Sequence, residues 1–203
     1  MTDRLGRWAG ALGAGLATPI LVLSLGCCCG GGTGGDWDSY SAEGTETGAA
    51  ASSSDEPAPD TASPQTIDRD GFTVQYPGNW TIDSADVDYD PDALFSLDTA
   101  GNCFVMFHVF DEEIDLAAAT KGQVDEFTQM LSSTTVTSFT TWGAFEGEGQ
   151  QIAGKFLFLP TTVRAFAHNA SGRSFLASEF CYDEDWPAAE PGFEQVRRSF
   201  TLK

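Results

Sequence analysis

Cationic charge is what this chain is shortest of. Against 30 aspartates and glutamates it has 10 lysines and arginines, a net charge of −20, and a field of that sign repels nucleic acid and anionic headgroups alike. No nucleic-acid partner is expected. Histidine is scarce too. His108 and His168 are the whole supply, and neither stands in a metal-ligand spacing such as His-Glu-x-x-His or in a nucleophile-elbow context. Cysteine is missing from most of the chain: Cys27, Cys28 and Cys29 are consecutive, which leaves only Cys103 and Cys181. These absences remove the usual hydrolase and metalloenzyme signatures, so the sequence predicts no catalytic residue, no cofactor and no enzymatic activity.

What is present begins with an apolar N-terminus that closes on the cysteine run. Arg4 and Arg7 supply a positive region, Ala9 to Leu25 an apolar one, and small Gly26 precedes Cys27, the order of a cleavable export signal over residues 1–26. Losing that segment makes the remainder one unit more negative. The junction resembles a bacterial lipobox, in which an aliphatic residue and a small residue precede the acylated cysteine. Cutting before Cys27 places Ser24 and Leu25 upstream; cutting before Cys28 places Leu25 and Gly26 upstream but makes Cys27 the small residue. Cys27 is preferred and Cys28 is the alternative. The rival reading, an uncleaved membrane-spanning helix, is opposed by Pro19, the glycines and a length near the lower limit of about 17 residues. Cys28 follows Cys27 where an Asp would resemble an inner-membrane retention signal, so the outer membrane is favoured for a lipid-anchored, extracytoplasmic protein.

From Gly30 to Thr66 the chain is Gly, Ser, Ala, Thr, Asp, Glu and Pro with few aromatics, a composition that buries too little apolar surface to offset ordering. Residues 27–66 are therefore expected to form a lipidated, disordered acidic tether with an end-to-end distance of about 35 Å, reaching about 110 Å where extended. Residues 67–203 change to regular apolar alternation and suit one domain with one core. Phe72 to Tyr76 reads as a strand ending at Pro77-Gly78-Asn79, and Trp80 to Ile82 as its hairpin partner. Ala93 to Leu97 is a third strand. Asn102 to Phe110 is a fourth, apolar on both faces and so in need of layers on both sides. Leu116, Val124, Phe127 and Leu131 mark a helix with Asp115 or Thr120 as N-cap. Thr134 to Gln151 reads as one long bent strand. Lys155 to His168, broken at Pro160, and Arg173 to Tyr182 form a hairpin through Asn169–Gly172. Pro191 opens a short helix carrying Phe193, Val196 and Phe200. The order specifies an α+β fold.

The segment Gly71-Phe72-Thr73-Val74-Gln75-Tyr76-Pro77-Gly78-Asn79-Trp80 resembles the opening of PsbP-like and DcrB-like domains, where a strand ends in Tyr-Pro and a Trp starts the next. The close, Phe193-Glu194-Gln195-Val196-Arg197-Arg198-Ser199-Phe200, is similar to their terminal helix with its Ser-Phe exit. The resemblance covers residues 67–203 and implies a curved antiparallel sheet packed between helices, an α/β/α sandwich. It also implies an accessory role: PsbP is an accessory subunit of the photosynthetic oxygen-evolving complex, and many bacterial relatives are envelope lipoproteins. Nothing in this chain argues specifically for photosynthesis.

Several residue groups were candidates for chemistry. Cys103 and Cys181, an even pair in an exported chain, are expected to form a disulfide, provided the faces carrying Val105 and Ala177 meet across neighbouring strands. Asp86, Asp88, Asp90 and Asp92, with Asp83 nearby, alternate like a calcium loop. The EF-hand pattern needs Gly where Pro91 stands and Glu where Leu97 stands, so a solvated acidic loop is expected and weak divalent-cation binding is the alternative. Glu146 and Glu148 share a face of an extended strand, and an exposed face is expected of them. His108 lies in the densest apolar strand and reads as a core or sheet-edge histidine; His168, before a turn, reads as solvent-facing. The resulting expectation is an envelope lipoprotein that meets the membrane through its lipid and an unidentified envelope protein through its domain. A small-ligand or cation binder using Trp142, Phe145 and Phe156 is the first rival, and a hydrolase with an unfamiliar site the second. Trp142 and Phe145, odd and even in number, would face opposite ways on a single strand unless Gly143 bulges.

Overall fold

In the computed structural model of the chain, residues 56–99 and 101–203 are described, all within the unit spanning 49–203. The expected export signal over residues 1–26, Cys27 and Cys28 lie outside the described residues. Ten strands and two helices form among those that are described. The strands are β1 (Gln65–Asp68), β2 (Phe72–Tyr76), β3 (Thr81–Ile82), β4 (Leu94–Asp98), β5 (Phe104–Phe110), β6 (Ser132–Trp142), β7 (Phe145–Phe156), β8 (Leu159–Ala170), β9 (Arg173–Tyr182) and β10 (Thr201–Leu202). The helices are α1 (Leu116–Met130) and α2 (Trp186–Ser199). Seven strands make an open antiparallel sheet in the order β3-β4-β5-β9-β8-β7-β6, and β1-β2-β10 make a smaller one. This is the α+β fold that the element order specifies, with the large sheet between α1 on one face and α2 with the small sheet on the other.

Alternation places one residue in two on each face, and the two faces are used differently. Toward α2, Phe72, Phe95, Phe107, Trp142, Phe175 and Phe200 form one aromatic core, with Phe175 and Phe200 rings 4.6 Å apart and Phe107 and Phe200 5.0 Å apart; each such pair adds about 0.5–1.5 kcal/mol beyond its area. Toward α1 a smaller core joins Val124, Phe127, Leu131, Ile152, Val163, Ala165 and Phe180. The strand buried on both faces is β9. β5 was the expected one, but its outer face (Phe104, Met106, His108, Phe110) is only half-buried, because α1 packs over β7 and β8 instead. Asp115 caps α1 by accepting from Ala118 N at 3.0 Å. α2 begins a turn earlier than Pro191 suggested: Pro187 sits in its first turn and Pro191 lies inside it, where its ring nitrogen donates nothing.

Three sequence expectations are corrected. Phe72–Tyr76 and Trp80–Ile82 are not a hairpin: β2 pairs with β1 and β10, whereas β3 pairs with β4. β1 had been hidden in polar Gln65-Thr66. The proposed strand Thr134–Gln151 is the β6–β7 hairpin, turning at Gly143-Ala144. Gly143 has φ +59, and a Cβ there would lie 2.3 Å from the Arg197 carbonyl, so only glycine fits. Lys155–His168 is likewise split, but between Phe156 and Leu159 rather than at Pro160. Its turn is Leu157-Phe158 with φ +48 and +75, a region that disfavours L side chains by about 1–2 kcal/mol per residue. The β8–β9 turn, Ser171-Gly172, has the same backbone shape with φ +55 and +80, and there a glycine supplies the harder position.

The tether boundary also moves. Ordered contacts reach back to Glu56, whose Oε2 accepts from Asn102 N at 2.9 Å. Asp60 N donates to Asn79 Oδ1 at 2.8 Å, Asn79 Nδ2 to the Ala58 carbonyl at 3.1 Å and Gly78 N to the Asp60 carbonyl at 2.9 Å. Polar side chains, which carry no apolar periodicity, hold this segment down.

Candidate functional site

Antiparallel pairing lines up Leu97, Val105, Glu179, Arg164, Gln151 and Thr137 in one row across β4, β5, β9, β8, β7 and β6, on the face toward α2. The row turns polar at Glu179, which is 1% exposed. α2 carries Arg197 onto it. Arg197 Nε donates to Glu179 Oε1 at 2.6 Å and Nη2 to Oε2 at 2.7 Å, a bidentate pair, while Nη1 donates to Glu190 Oε1 at 2.7 Å. Trp142 Nε1 adds a bond to Glu179 Oε1 at 2.8 Å, and Arg164 Nη1 lies 3.5 Å from Oε2. Trp186 Nε1 donates to the second oxygen of Glu190 at 2.7 Å.

The two arginines respond oppositely to the same cluster. Burial pulls the Arg197 guanidinium down, but hydrogen bonds and charge from Glu179 and Glu190 outweigh it and hold it above its ordinary value. Arg164 is shifted down, chiefly by burial and also by Arg197, with Glu179 and Glu190 opposing. Its Nε is buried without a partner, and its guanidinium carbon sits 4.7 Å over the Phe139 ring. Above Arg164 opens a cleft of about 360 Å³ lined by Gln151, Thr162, Asp183, Trp186, Pro187 and Glu190. Asp183 accepts from the Thr162 hydroxyl at 2.8 Å. The arrangement offers a cation with spare donors on the floor and an indole on the wall, suited to holding an acceptor group.

Of these residues only Trp142 was singled out from the sequence, and for a different face. Two signals could have found them: Glu179 is a carboxylate in the apolar run Phe175 to Cys181, and Arg197 falls on the apolar stripe of Phe193, Val196 and Phe200. A charge on each of two buried faces is the pattern of an ion pair between them.

The other residues that were singled out lie elsewhere. Cys103 and Cys181 are joined as a disulfide with Cα atoms 4.3 Å apart, at the end of the β5–β9 ladder, where Val105 opposes Glu179 and Phe107 opposes Ala177. Asp86 and Asp90 turn back on their own loop, accepting from Asp88 N and Asp92 N at 2.9 Å each; Asp92 lies 3.4 Å from Arg69 Nε. Among the described residues no three metal-ligating side chains converge. Glu146 and Glu148 are exposed. His108 is held below its ordinary value by burial, against the opposing charge of Asp88. His168 is half-buried rather than solvent-facing, its Nδ1 2.7 Å from the Glu146 carbonyl and its ring 4.9 Å from that of Phe145.

The aromatic face of Trp142, Phe145 and Phe156 does not form. Trp142 and Phe145 are cross-strand partners in the β6–β7 hairpin, so they meet without a bulge and sink into the main core, 6.4 Å between rings. Phe156 belongs to the other core, against Phe180.

No family model matches the chain, and no curated protein matches it. Solved structures do. The chain is similar to the Saccharomyces cerevisiae Ran-binding protein Mog1p, with 11% identity over 69% of this chain and 95% of that one, at a TM-score of 0.46. It is similar to cyanobacterial PsbP from Synechocystis, with 12% identity over 70% and 94% at 0.43, and to LpqN of Mycobacterium tuberculosis, involved in cell envelope biogenesis, with 12% over 70% and 90% at 0.42. A Bacteroides thetaiotaomicron structure is matched over 65% of this chain but only 45% of its own length, so this chain spans less than half of that protein. The PsbP-like resemblance read from residues 71–80 and 193–200 therefore has a PsbP among its structural counterparts. At these scores nothing about binding or activity passes from those proteins to this one. No helix among the described residues is long and apolar enough to cross a membrane.

Proposed function

We propose that this chain is a membrane-tethered binding module, acylated at Cys27 or Cys28 in the cell envelope and engaging a partner protein through the cleft over Arg164. The supporting observation is the unequal use of the two arginines beside Glu179. Arg197 spends its donors on Glu179 and Glu190, so the buried carboxylate is held in a bidentate ion pair rather than presented to the cleft. Arg164 touches Glu179 only at 3.5 Å and keeps a buried Nε unpartnered. A carboxylate or carbonyl from a partner segment entering the cleft would complete that guanidinium, with Trp186 packing alongside. The extracytoplasmic setting is supported by the n-region, the apolar stretch and the Gly26-Cys27 junction.

The test is a photo-crosslinking side chain at Thr162, on the cleft wall, in the full chain in intact cells. One envelope protein should be captured, and Arg164→Met should reduce the yield about tenfold, as expected when a charge-assisted contact is lost. Capture unaffected by Arg164→Met would place the contact elsewhere.

A further inference from the structure

At the far end of the β7–β8 hairpin, Leu157 is 72% and Phe158 91% exposed, Leu159 follows at the start of β8, and Met130 closes α1 nearby, all of them open to solvent. The pairing puts Met130 at this end, since Ser132, two residues on, opposes Lys155. Bulky apolar residues in the left-handed region, at a tip where Asn-Gly would sit without strain, mark a sequence retained for something other than the turn. The surroundings are unusual for this chain: residues 127–145 and 149–163 hold no Asp or Glu, and their single charge is Lys155. The nearest acidic groups come from the end of β9: Asp183 donates its N–H to the Pro160 carbonyl at 2.9 Å and accepts from the Thr162 hydroxyl at 2.8 Å, and Glu184 follows it.

The chain also enters the domain at this end. Glu56 binds Asn102 N, Asn102 precedes Cys103, Cys103 is bonded to Cys181, and Cys181 opposes Thr162 on β8, three residues past Leu159. Fifty-five residues precede Glu56, among them the apolar stretch and the cysteine run.

We propose that the Leu157-Phe158-Leu159 tip, with Met130 beside it, dips into the lipid bilayer that carries the N-terminus. The inference rests on the anchoring reading above. A convex tip of three or four side chains is far below the roughly 1,200 Å² of a stable protein interface, yet it suits a bilayer, which moulds around it and takes apolar groups at the headgroup boundary. Residues 149–163 themselves carry no acidic group, so the apolar side chains of the tip reach the headgroups ahead of Asp183 and Glu184, which flank it beside Pro160. The tip alone would bind weakly; on a tethered chain it acts at high effective concentration and sets orientation, holding the β5, β8 and β9 ends of the large sheet toward the membrane.

The test uses the full chain with p-benzoylphenylalanine in place of Phe158, photolysed in intact cells, with membranes then fractionated. A lipid adduct is expected, about tenfold over the same probe at Val87, which is 94% exposed in the loop before β4 and lies at the opposite end of the sheet, where Leu94 opposes His108. With the probe at Met130, the double substitution Leu157→Asn and Phe158→Gly should lower the lipid adduct about tenfold while raising the melting temperature, since the turn loses its strain. A protein adduct from position 158 in place of lipid overturns the proposal in favour of a protein dock. A membrane-bound chain giving no adduct overturns the tip and leaves the anchor standing. A chain absent from the membrane fraction overturns the anchor; mixing it with phosphatidylethanolamine–phosphatidylglycerol vesicles then decides the tip, which fails if position 158 still takes no lipid.

Discussion

Glu179 shows what one buried charge demands of its neighbours. Taking a carboxylate out of water costs several kcal/mol, recovered only when its lone pairs are used and its charge is met; here Arg197, Trp142 and Arg164 do both. Removing one partner is therefore worse than never having had the pair. Glu179→Ala should lower stability by about 3–5 kcal/mol by leaving Arg197 buried and half-unpaired. Glu179→Ala combined with Arg197→Met should recover part of that loss, and urea unfolding of the two single variants and the double variant reads the coupling directly. His108 makes a second prediction at this scale. Its pKa is held below the ordinary 6.5 by burial between Leu94 and Leu176, so the unfolded chain binds the proton more tightly than the folded one. Stability from this group is full above about pH 6.5 and falls as the pH drops toward the folded value. His108→Gln should flatten that part of a melting-temperature profile between pH 7 and 5. An unchanged slope would assign the acid loss to other groups. That His108 stands in a strand was legible because apolar neighbours flank it in sequence, but its half-buried setting was not, since it depends on where α1 packs. The Glu179–Arg197 pair was not, because its members are 18 residues apart and meet only when α2 lies across the sheet.

Elements were legible where one face alone is buried, and less so where turns carry unexpected residues. The α1 stripe at Val124, Phe127 and Leu131 and the alternation of β2 follow from periodicity alone. The β6–β7 and β7–β8 hairpins were hidden for opposite reasons. Gly143 stands at the first turn, but Thr-rich β6, exposed along nearly its whole length, has no face to count. The second turn is apolar Leu157-Phe158, which no turn chemistry announces. Pairing partners for β2 were missed because its neighbours come from both ends of the domain, and only the closed fold brings Thr201 against Thr73. The disulfide belongs to this scale, since it ties the start of β5 to the end of β9 across 78 residues. Opening a loop of that length releases unfolded-state entropy of about 4–5 kcal/mol as an upper figure. Cys103→Ser with Cys181→Ser should lower the melting temperature of the oxidised protein clearly, and a dithiothreitol-treated wild type should match the double variant. Equal melting with and without reductant would mean that the bond adds nothing to stability.

For the whole molecule the question is where the tether ends and the domain begins. Composition put the boundary at residue 66, yet Glu56, Ala58 and Asp60 bond to Asn102, Asn79 and Gly78, and Pro59 packs with Trp80 against Gly192 of α2, where a Cβ would lie 2.4 Å from the Trp80 ring. The signal is weak in sequence because the segment is held by polar side chains and backbone rather than by an apolar stripe. A chain starting at residue 49 should melt within a degree or two of the full mature protein, whereas one starting at Gln65 should lose stability through several hydrogen bonds of about 1 kcal/mol each. Equal melting of both would return residues 56–64 to the tether. Upstream of that boundary the proposal is covalent: one acyl chain gives only marginal membrane binding of roughly 10⁴ M⁻¹, so stable anchoring needs two or more chains on the same cysteine. Replacing Cys27, Cys28 and Cys29 together with Ser leaves the apolar stretch Ala9–Leu25 intact while removing every acylation site, and this separates the lipoprotein from the membrane-spanning alternative. The triple variant should be misprocessed or released, with loss of the mass added by acylation at its N-terminus. If instead it stays membrane-bound with an uncleaved N-terminus, residues 9–25 are themselves the anchor, and the cysteine run is not the attachment point.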